Sequence, residues 1–234
     1  MAENADPENG PPRGHAALMD QVYRNQRHIY DLTRKYYLLG RDRLVRELGA
    51  TPGQSIVEIG CGTARNLIRI AETYPGVMLY GLDASHEMLS TAEEAVRKAG
   101  LSQRIKLVHG YAENTSPAMF GLSAPFDHAI FSYSLSMIPD WRAALAAAAR
   151  SVGTRGRVHV VDFGDLEGLW SPFGRALRAW LRLFHVTPRD RLLKLLETAK
   201  GPEQEIYILP GRYAFVFRAS PQAVAGLENA VLDA

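Results

Sequence analysis

The stretch Ser55–Ile70, SIVEIGCGTARNLIRI, decides how this chain is read. Ser55–Ile59 suits a buried strand. Gly60 and Gly62 then flank Cys61, and from Ala64 apolar residues return at helical spacing. A glycine turn between strand and helix lets bare backbone approach a ligand, although a lone G-x-G serves equally well as a tight connection that binds nothing. The next strand tips the balance. YGLDAS places Asp83 23 positions after Gly60, close to the ~20 expected of a carboxylate that accepts both hydroxyls of a ribose. An adenosine-bearing ligand is therefore expected.

A dinucleotide fits less well. Arg65 stands where the third glycine of G-x-G-x-x-G would be, and Glu58 brings an anion toward the loop, where it would repel a pyrophosphate. The same glutamate suits S-adenosylmethionine, which carries adenosine, no phosphate, a sulfonium and an ammonium. Cys61 is read as a small packing residue, since no second cysteine or nearby histidine supports nucleophilic chemistry.

Outward from this stretch the chain alternates. Strands are predicted at Ser55–Ile59, Val77–Leu82, Ile105–His109, Phe126–Phe131 and Arg157–Val161. Helices are predicted at Ala64–Tyr74, His86–Ala99 (capped by Ser85) and Trp141–Val152. The pattern predicts an α/β fold: a mostly parallel sheet with helices on both faces and ligands outside the carboxyl ends of the strands. Glu58–Gly62, Asp83, Ala112–Glu113, Ser132–Ser134 and Asp162 all fall there. EIYILP and YAFVFRA, joined across GR, read as a closing antiparallel hairpin. Residues 1–14 read as a disordered tail and 16–48 as helical. Two helices broken at Pro188 occupy 165–200, and 221–234 reads as a C-terminal tail, leaving one domain over 15–220.

With 234 residues, 47% of them hydrophobic, the chain can bury a sizeable core. Its single cysteine excludes an internal disulfide, and no apolar run reaches the ~18–20 residues of a membrane span. With no basic-then-apolar leader, a cytoplasmic placement is expected, with any membrane contact peripheral. A net charge of +2 without a basic stripe argues against nucleic acid. No His, Cys and acid cluster has metal-ligand spacing, so no metal is expected.

VEIGCGTARN, YGLDASHEML, LVHGYAEN and FDHAIFSYSLSMIPDW, in that order, resemble the successive motifs of class I S-adenosylmethionine-dependent methyltransferases. The resemblance implies a Rossmann-like seven-stranded sheet. It also implies that Gly60, Cys61 and Gly62 cradle the methionine part, that Asp83 holds the ribose, and that Ala84 and Met88 lie beside the adenine. Where that family commonly has an adenine-binding aspartate this chain has Tyr111. Ala112 is then left as a backbone contact and Glu113 as a substitute, with Ser132 also assigned to the cofactor.

The outer segments must supply the acceptor site. Tyr23, Tyr30 and Tyr37 recur on one helical face, either as core or facing the cofactor mouth, and Arg41, one turn beyond Tyr37, could pair with a carboxylate. Phe173, Leu177, Trp180, Leu181 and Phe184 face away from Arg175, Arg178 and Arg182. That pattern suits either a lid or a helix resting on an anionic membrane. YRNQRHIYDLTRKYYLLGRDRL, taken with VEIGCGTARNL and VVDFGDL, resembles the bacterial betaine-lipid N-methyltransferases. This implies three methylations of the primary amine of diacylglyceryl homoserine, an outer helix over the cofactor, S-adenosylhomocysteine as product and a functional partner that transfers the aminocarboxypropyl group. Phosphatidylethanolamine or a small amine is the alternative acceptor. His28, Tyr30, Tyr133 and Asp162 are the candidates to take the amine's proton, while His109, His128 and His159 read as structural.

Overall fold

The computed structural model describes residues 38–183, 186–198 and 202–232, the last five of these by backbone only. The helix expected over 16–48 enters this range only at its end. It does not run unbroken, because Gly40 adopts φ +86 and caps a short helix, α1 (Arg41–Arg46). Gly40 is bare where it must be: a Cβ there would sit 3.1 Å from a Val161 methyl and 3.2 Å from one of Val216. The remaining elements in chain order are β1 (Ser55–Ile59), α2 (Arg65–Thr73), β2 (Met78–Asp83), α3 (His86–Lys98), β3 (Ile105–His109), β4 (Phe126–Ser132), α4 (Trp141–Ser151), β5 (Val152–Phe163), α5 (Ser171–Arg182), α6 (Asp190–Thr198), β6 (Gln204–Ile208), β7 (Ala214–Ala219) and α7 (Pro221–Leu232).

The strands form one seven-stranded sheet in the order β3-β2-β1-β4-β5-β7-β6. The first five are parallel, and β7 runs antiparallel between β5 and β6. This is the seven-stranded mixed sheet expected of the class I methyltransferase fold. Strand β5 starts five residues earlier than Arg157, the predicted start, and its pairing with β4 is irregular between Phe126 and His128. Residues 221–234 are not simply a tail, because Pro221–Leu232 is helical and buries Val224 and Leu227.

The central strands are buried on both faces, as parallel strands flanked by helices must be. One face carries Ile56, Ile130, Val161 and Phe163 against residues of α1, α2 and α3, together with Leu181 of α5. The other carries Val57, Ile59, Phe131 and Val160 against α4, α6 and α7. Two helix starts are capped as their residues dictate: Ser85 Oγ accepts from Met88 N–H at 3.2 Å, and Asp140 Oδ1 from Ala143 N–H at 3.0 Å. His128 and His159 lie inside the sheet with ring nitrogens 3.1 Å apart, and burial lowers the pKa of both. Among the described residues no helix is long and apolar enough to cross a membrane.

Candidate cofactor site

Neighbours β1 and β4 connect to opposite halves of the sheet. Their carboxyl ends therefore open a crevice, the usual ligand position in such folds. Gly60–Gly62 leaves the end of β1, Asp83 closes β2, and Ser132 closes β4. The glycine loop is stitched to its neighbour, since the Gly60 and Cys61 amides both donate to the Leu82 carbonyl, at 2.8 and 3.0 Å. The Asp83 carboxylate holds the loop from the other side. One oxygen accepts from Gly62 N–H at 2.8 Å and the other from Ser85 N–H at 2.9 Å. It is thus preorganised at the loop.

Gly60 could be nothing else. Its φ is +75, and an added Cβ would lie 2.5 Å from Ser134 Cβ. Ser134 cannot retreat freely, because its hydroxyl donates to the Ile59 carbonyl at 2.8 Å. Gly60→Ala is therefore expected to lower stability by roughly 2–4 kcal/mol, from left-handed strain plus overpacking. Denaturant midpoints measure this, and a loss below about 0.5 kcal/mol would show that the loop relaxes without difficulty.

Glu58 is 1% exposed. Asn66 Nδ2, from the first turn of α2, donates to its Oε1 at 2.7 Å, while its Oε2 is buried with no hydrogen-bond partner among the described residues. Burial pushes the carboxyl up to about 7; the Asn66 bond and the Arg41 guanidinium pull it down, and Asp83 adds to the rise. A buried carboxyl with an unsatisfied oxygen, near a second carboxylate, is a site for a cationic donor. Ser132 Oγ is likewise buried with no hydrogen-bond partner among the described residues. These groups fit a ligand with a cationic, phosphate-free end.

The remaining assigned residues divide. Met88 is buried, and Ala84, Ala112 and Glu113 are half-buried around the ends of β2 and β3. The Ala84 carbonyl lies 3.0 Å from His109 Nε2, and the His109 ring stacks on His86 at 3.7 Å with an 8° tilt. Neither His86, His109 nor Asn66 was singled out for this site from sequence. Their pairing depends on how two strand ends meet, which no local spacing reveals. Cys61 is buried, its thiol pushed well up by burial, and its sulfur packs where Gly81 has no side chain. That is a packing role.

Two of the four proton-acceptor candidates hold the frame of the site. The Tyr133 hydroxyl, buried, donates to the Leu39 carbonyl, and burial drives its pKa well up. Asp162 accepts from the Ser136 and Phe163 amides at 2.9 and 2.8 Å, and burial raises it to about 6. Its position in β5 places it on the opposite face of the sheet from Glu58: Glu58, Ile130 and His159 are cross-strand neighbours, and Asp162 lies three residues beyond His159. The structure does not bring the two acids together. His28, Tyr30 and Tyr37 lie outside the described residues. Among the described residues no group of three His, Cys, Asp or Glu could hold a metal.

Residues 56–156 match the family model described as a methyltransferase domain, which places the crevice inside the matched segment. Residues 56–156 carry a methyltransferase domain, on the sheet of the class I methyltransferase fold. The chain is 27% identical over 143 residues to the demethylmenaquinone methyltransferase of Geobacillus sp. (strain WCH70), covering 60% of this chain and 59% of that protein. The chain spans about half the length of the curated relatives it matches. The fold is shared with the SAM-dependent methyltransferase from Thermotoga maritima, with a TM-score of 0.60 at 18% identity over 87% of this chain and 99% of the other. It is shared too with Haemonchus contortus phosphoethanolamine N-methyltransferase 2 in complex with S-adenosyl-L-methionine, with a TM-score of 0.64 at 16% identity over 83% and 46%. The cofactor that goes with the methyltransferase domain is S-adenosylmethionine, and the crevice residues fit it.

Proposed function

We propose that this protein is an S-adenosylmethionine-dependent N-methyltransferase whose acceptor is the amine of a lipid headgroup, in its sharpest form the primary amine of diacylglyceryl homoserine, methylated three times. The observation that carries the methyl-donor half is the buried Glu58 carboxyl with an unpartnered oxygen beneath a glycine turn that Asp83 holds in place. The acceptor half rests on the resemblance of residues 23–44 to the betaine-lipid enzymes.

Bound S-adenosylmethionine supplies an electrophilic methyl group on a sulfonium. The protein's part is to hold donor and acceptor in line and exclude water, which accounts for most of the rate in such transfers. The acceptor nitrogen forms the new N–C bond as the S–C bond breaks, and the nitrogen must have lost a proton to attack. With Tyr133 and Asp162 engaged in the frame, we assign that proton to solvent or to His28 or Tyr30. An enzyme that transfers an aminocarboxypropyl group to diacylglycerol would supply the substrate.

A second reading is favoured by the curated relatives, which are named demethylmenaquinone methyltransferases: transfer to a ring carbon of a lipid-soluble quinol. Phosphatidylethanolamine or another small amine is a third acceptor on the same fold. Purified protein incubated with labelled methyl donor and each acceptor in turn, followed by mass analysis, separates them. Three successive methyl increments on homoserine lipid are expected. Transfer to the quinol alone would overturn the amine reading and leave the donor site intact. Tight S-adenosylhomocysteine binding with no transfer to any acceptor would overturn catalysis itself.

A further inference from the structure

Helix α5 carries a surface that the donor crevice does not use. Its inward line is Gly174, Leu177 and Leu181, the leucines packed with the cluster holding Tyr133, Phe163 and Leu166 at the carboxyl ends of β4 and β5. The sequence pattern put Phe173 on one apolar face with Leu177 and Leu181; Phe173 is 55% exposed, and Trp170 and Leu183 are 77% and 71% exposed. At 100° per residue Phe173 and Leu183 lie toward one flank of the helix, with Trp170 at its start, while Trp180 between them is half-buried against the core cluster. Three large apolar side chains exposed along one short helix mark a contact.

The opposite flank is basic. Arg175 and Arg182 are exposed, and Arg191 at the start of α6 is exposed as well. Arg178 differs from them. It binds Asp190 at 3.2 Å and the Asp165 carbonyl, so it ties α5 to α6 and to the loop after β5. Nearby, Asp165 is fully buried and held by Arg212, which also grips Glu197 through two bonds of 2.8 Å. The local acids are thus drawn inward into ion pairs, and of the exposed ones Glu167 faces Lys194 at 3.9 Å. Arg175, Arg182 and Arg191 have no carboxylate partner among the described residues.

We propose that the Trp170–Leu183 stripe docks on an anionic lipid surface, with Trp170 and Phe173 at headgroup depth and Arg175 and Arg182 against lipid phosphates. The occupant follows from the chemistry: an aromatic edge is at home where one side is apolar and the other wet, and the exposed cations on the helix's other flank complement an anionic surface. A helix of 12 residues lying flat needs no spanning length. Because α5 sits over the ends of β4 and β5, docking brings the crevice to a membrane-borne acceptor. The proposal holds for a lipid amine and for a quinol alike.

The test is flotation of the full chain with phosphatidylcholine vesicles and with vesicles that also contain phosphatidylglycerol. The chain is expected to float with the anionic vesicles, less so as salt rises, with a blue shift of tryptophan emission. Trp170→Ala with Phe173→Ala should weaken binding about tenfold or more through lost apolar burial. Arg175→Glu with Arg182→Glu should do so by a similar factor on anionic vesicles. Both pairs should leave S-adenosylhomocysteine affinity within about twofold, since these positions are away from the crevice. A full chain that never floats, or variants that float like the parent, would overturn the proposal. So would a photo-crosslinker at position 173 that captures residues 1–37 or a second copy of the chain instead of lipid.

Discussion

Asp83→Ala is expected to weaken S-adenosylhomocysteine binding about a hundredfold. The carboxylate already fixes the glycine loop through the Gly62 amide and the α3 entry through the Ser85 amide. A carboxylate at the end of β2 is what a vicinal diol would bond, and hydrogen bonds to a charged acceptor are worth roughly 1.5–3 kcal/mol. About 3 kcal/mol for the diol corresponds to about two orders of magnitude in Kd. The variant also strips two amides of their acceptor, so stability should fall as well. Asp83→Asn separates the effects: it keeps one acceptor oxygen for the loop but lacks the charge, and should bind with intermediate affinity. Calorimetry that returns the parent's Kd for Asp83→Ala would remove this residue from the ribose site.

The second large effect is in pH. Glu58 has its carboxyl raised from an ordinary 4.5 to about 7 by burial. A folded-state pKa above the unfolded one means that the folded protein holds the proton more tightly. Stability is then greatest below pH ~4.5 as far as this group is concerned, and it falls as pH rises toward 7. A rise of this size corresponds to about 3 kcal/mol. Glu58→Gln should flatten that slope in urea titrations across the window and leave the protein more stable near neutrality. A cationic ligand acts in the opposite direction. It favours the ionised carboxylate, so binding of S-adenosylhomocysteine below pH 7 should release a proton, and affinity should climb with pH and level off above 7. Calorimetry in two buffers of different ionisation enthalpy reads the proton directly. Binding by the parent without proton release would show that the ligand's positive end lies elsewhere.

Much of this was legible in the chain itself. The strand–glycine–helix signal, Asp83 at the end of the next strand, the Ser85 cap and the closing hairpin all depend on neighbours within a few positions, where φ preferences and side-chain period act directly. The errors lie where distant segments meet. Helical spacing runs through residues 16–48, yet Gly40 breaks it, because the backbone there closes on Val161 and Val216. Phe173 sits at helical spacing with Leu177 and Leu181, yet it points outward while they pack in. Arg178 reads as one more surface cation until Asp190 and Asp165 are brought beside it. An Arg178→Glu change would therefore break an internal tie, and Arg175 and Arg182 are the residues whose change tests the membrane contact.

The amino-acid order alone determined the α/β alternation, the position of the glycine turn and the sign of the charge below it, since each follows from local backbone preference and short-range chemistry. Only the tertiary structure decided which polar groups are satisfied. Asp162 and Tyr133, candidates to take the amine's proton, are bonded into the frame, whereas one oxygen of Glu58, assigned to the cofactor, has no hydrogen-bond partner among the described residues. Burial and pairing are properties of the packed molecule, set by strand register and by segments far apart in the chain, and they separate a carboxyl that can receive a ligand from one that only holds a loop.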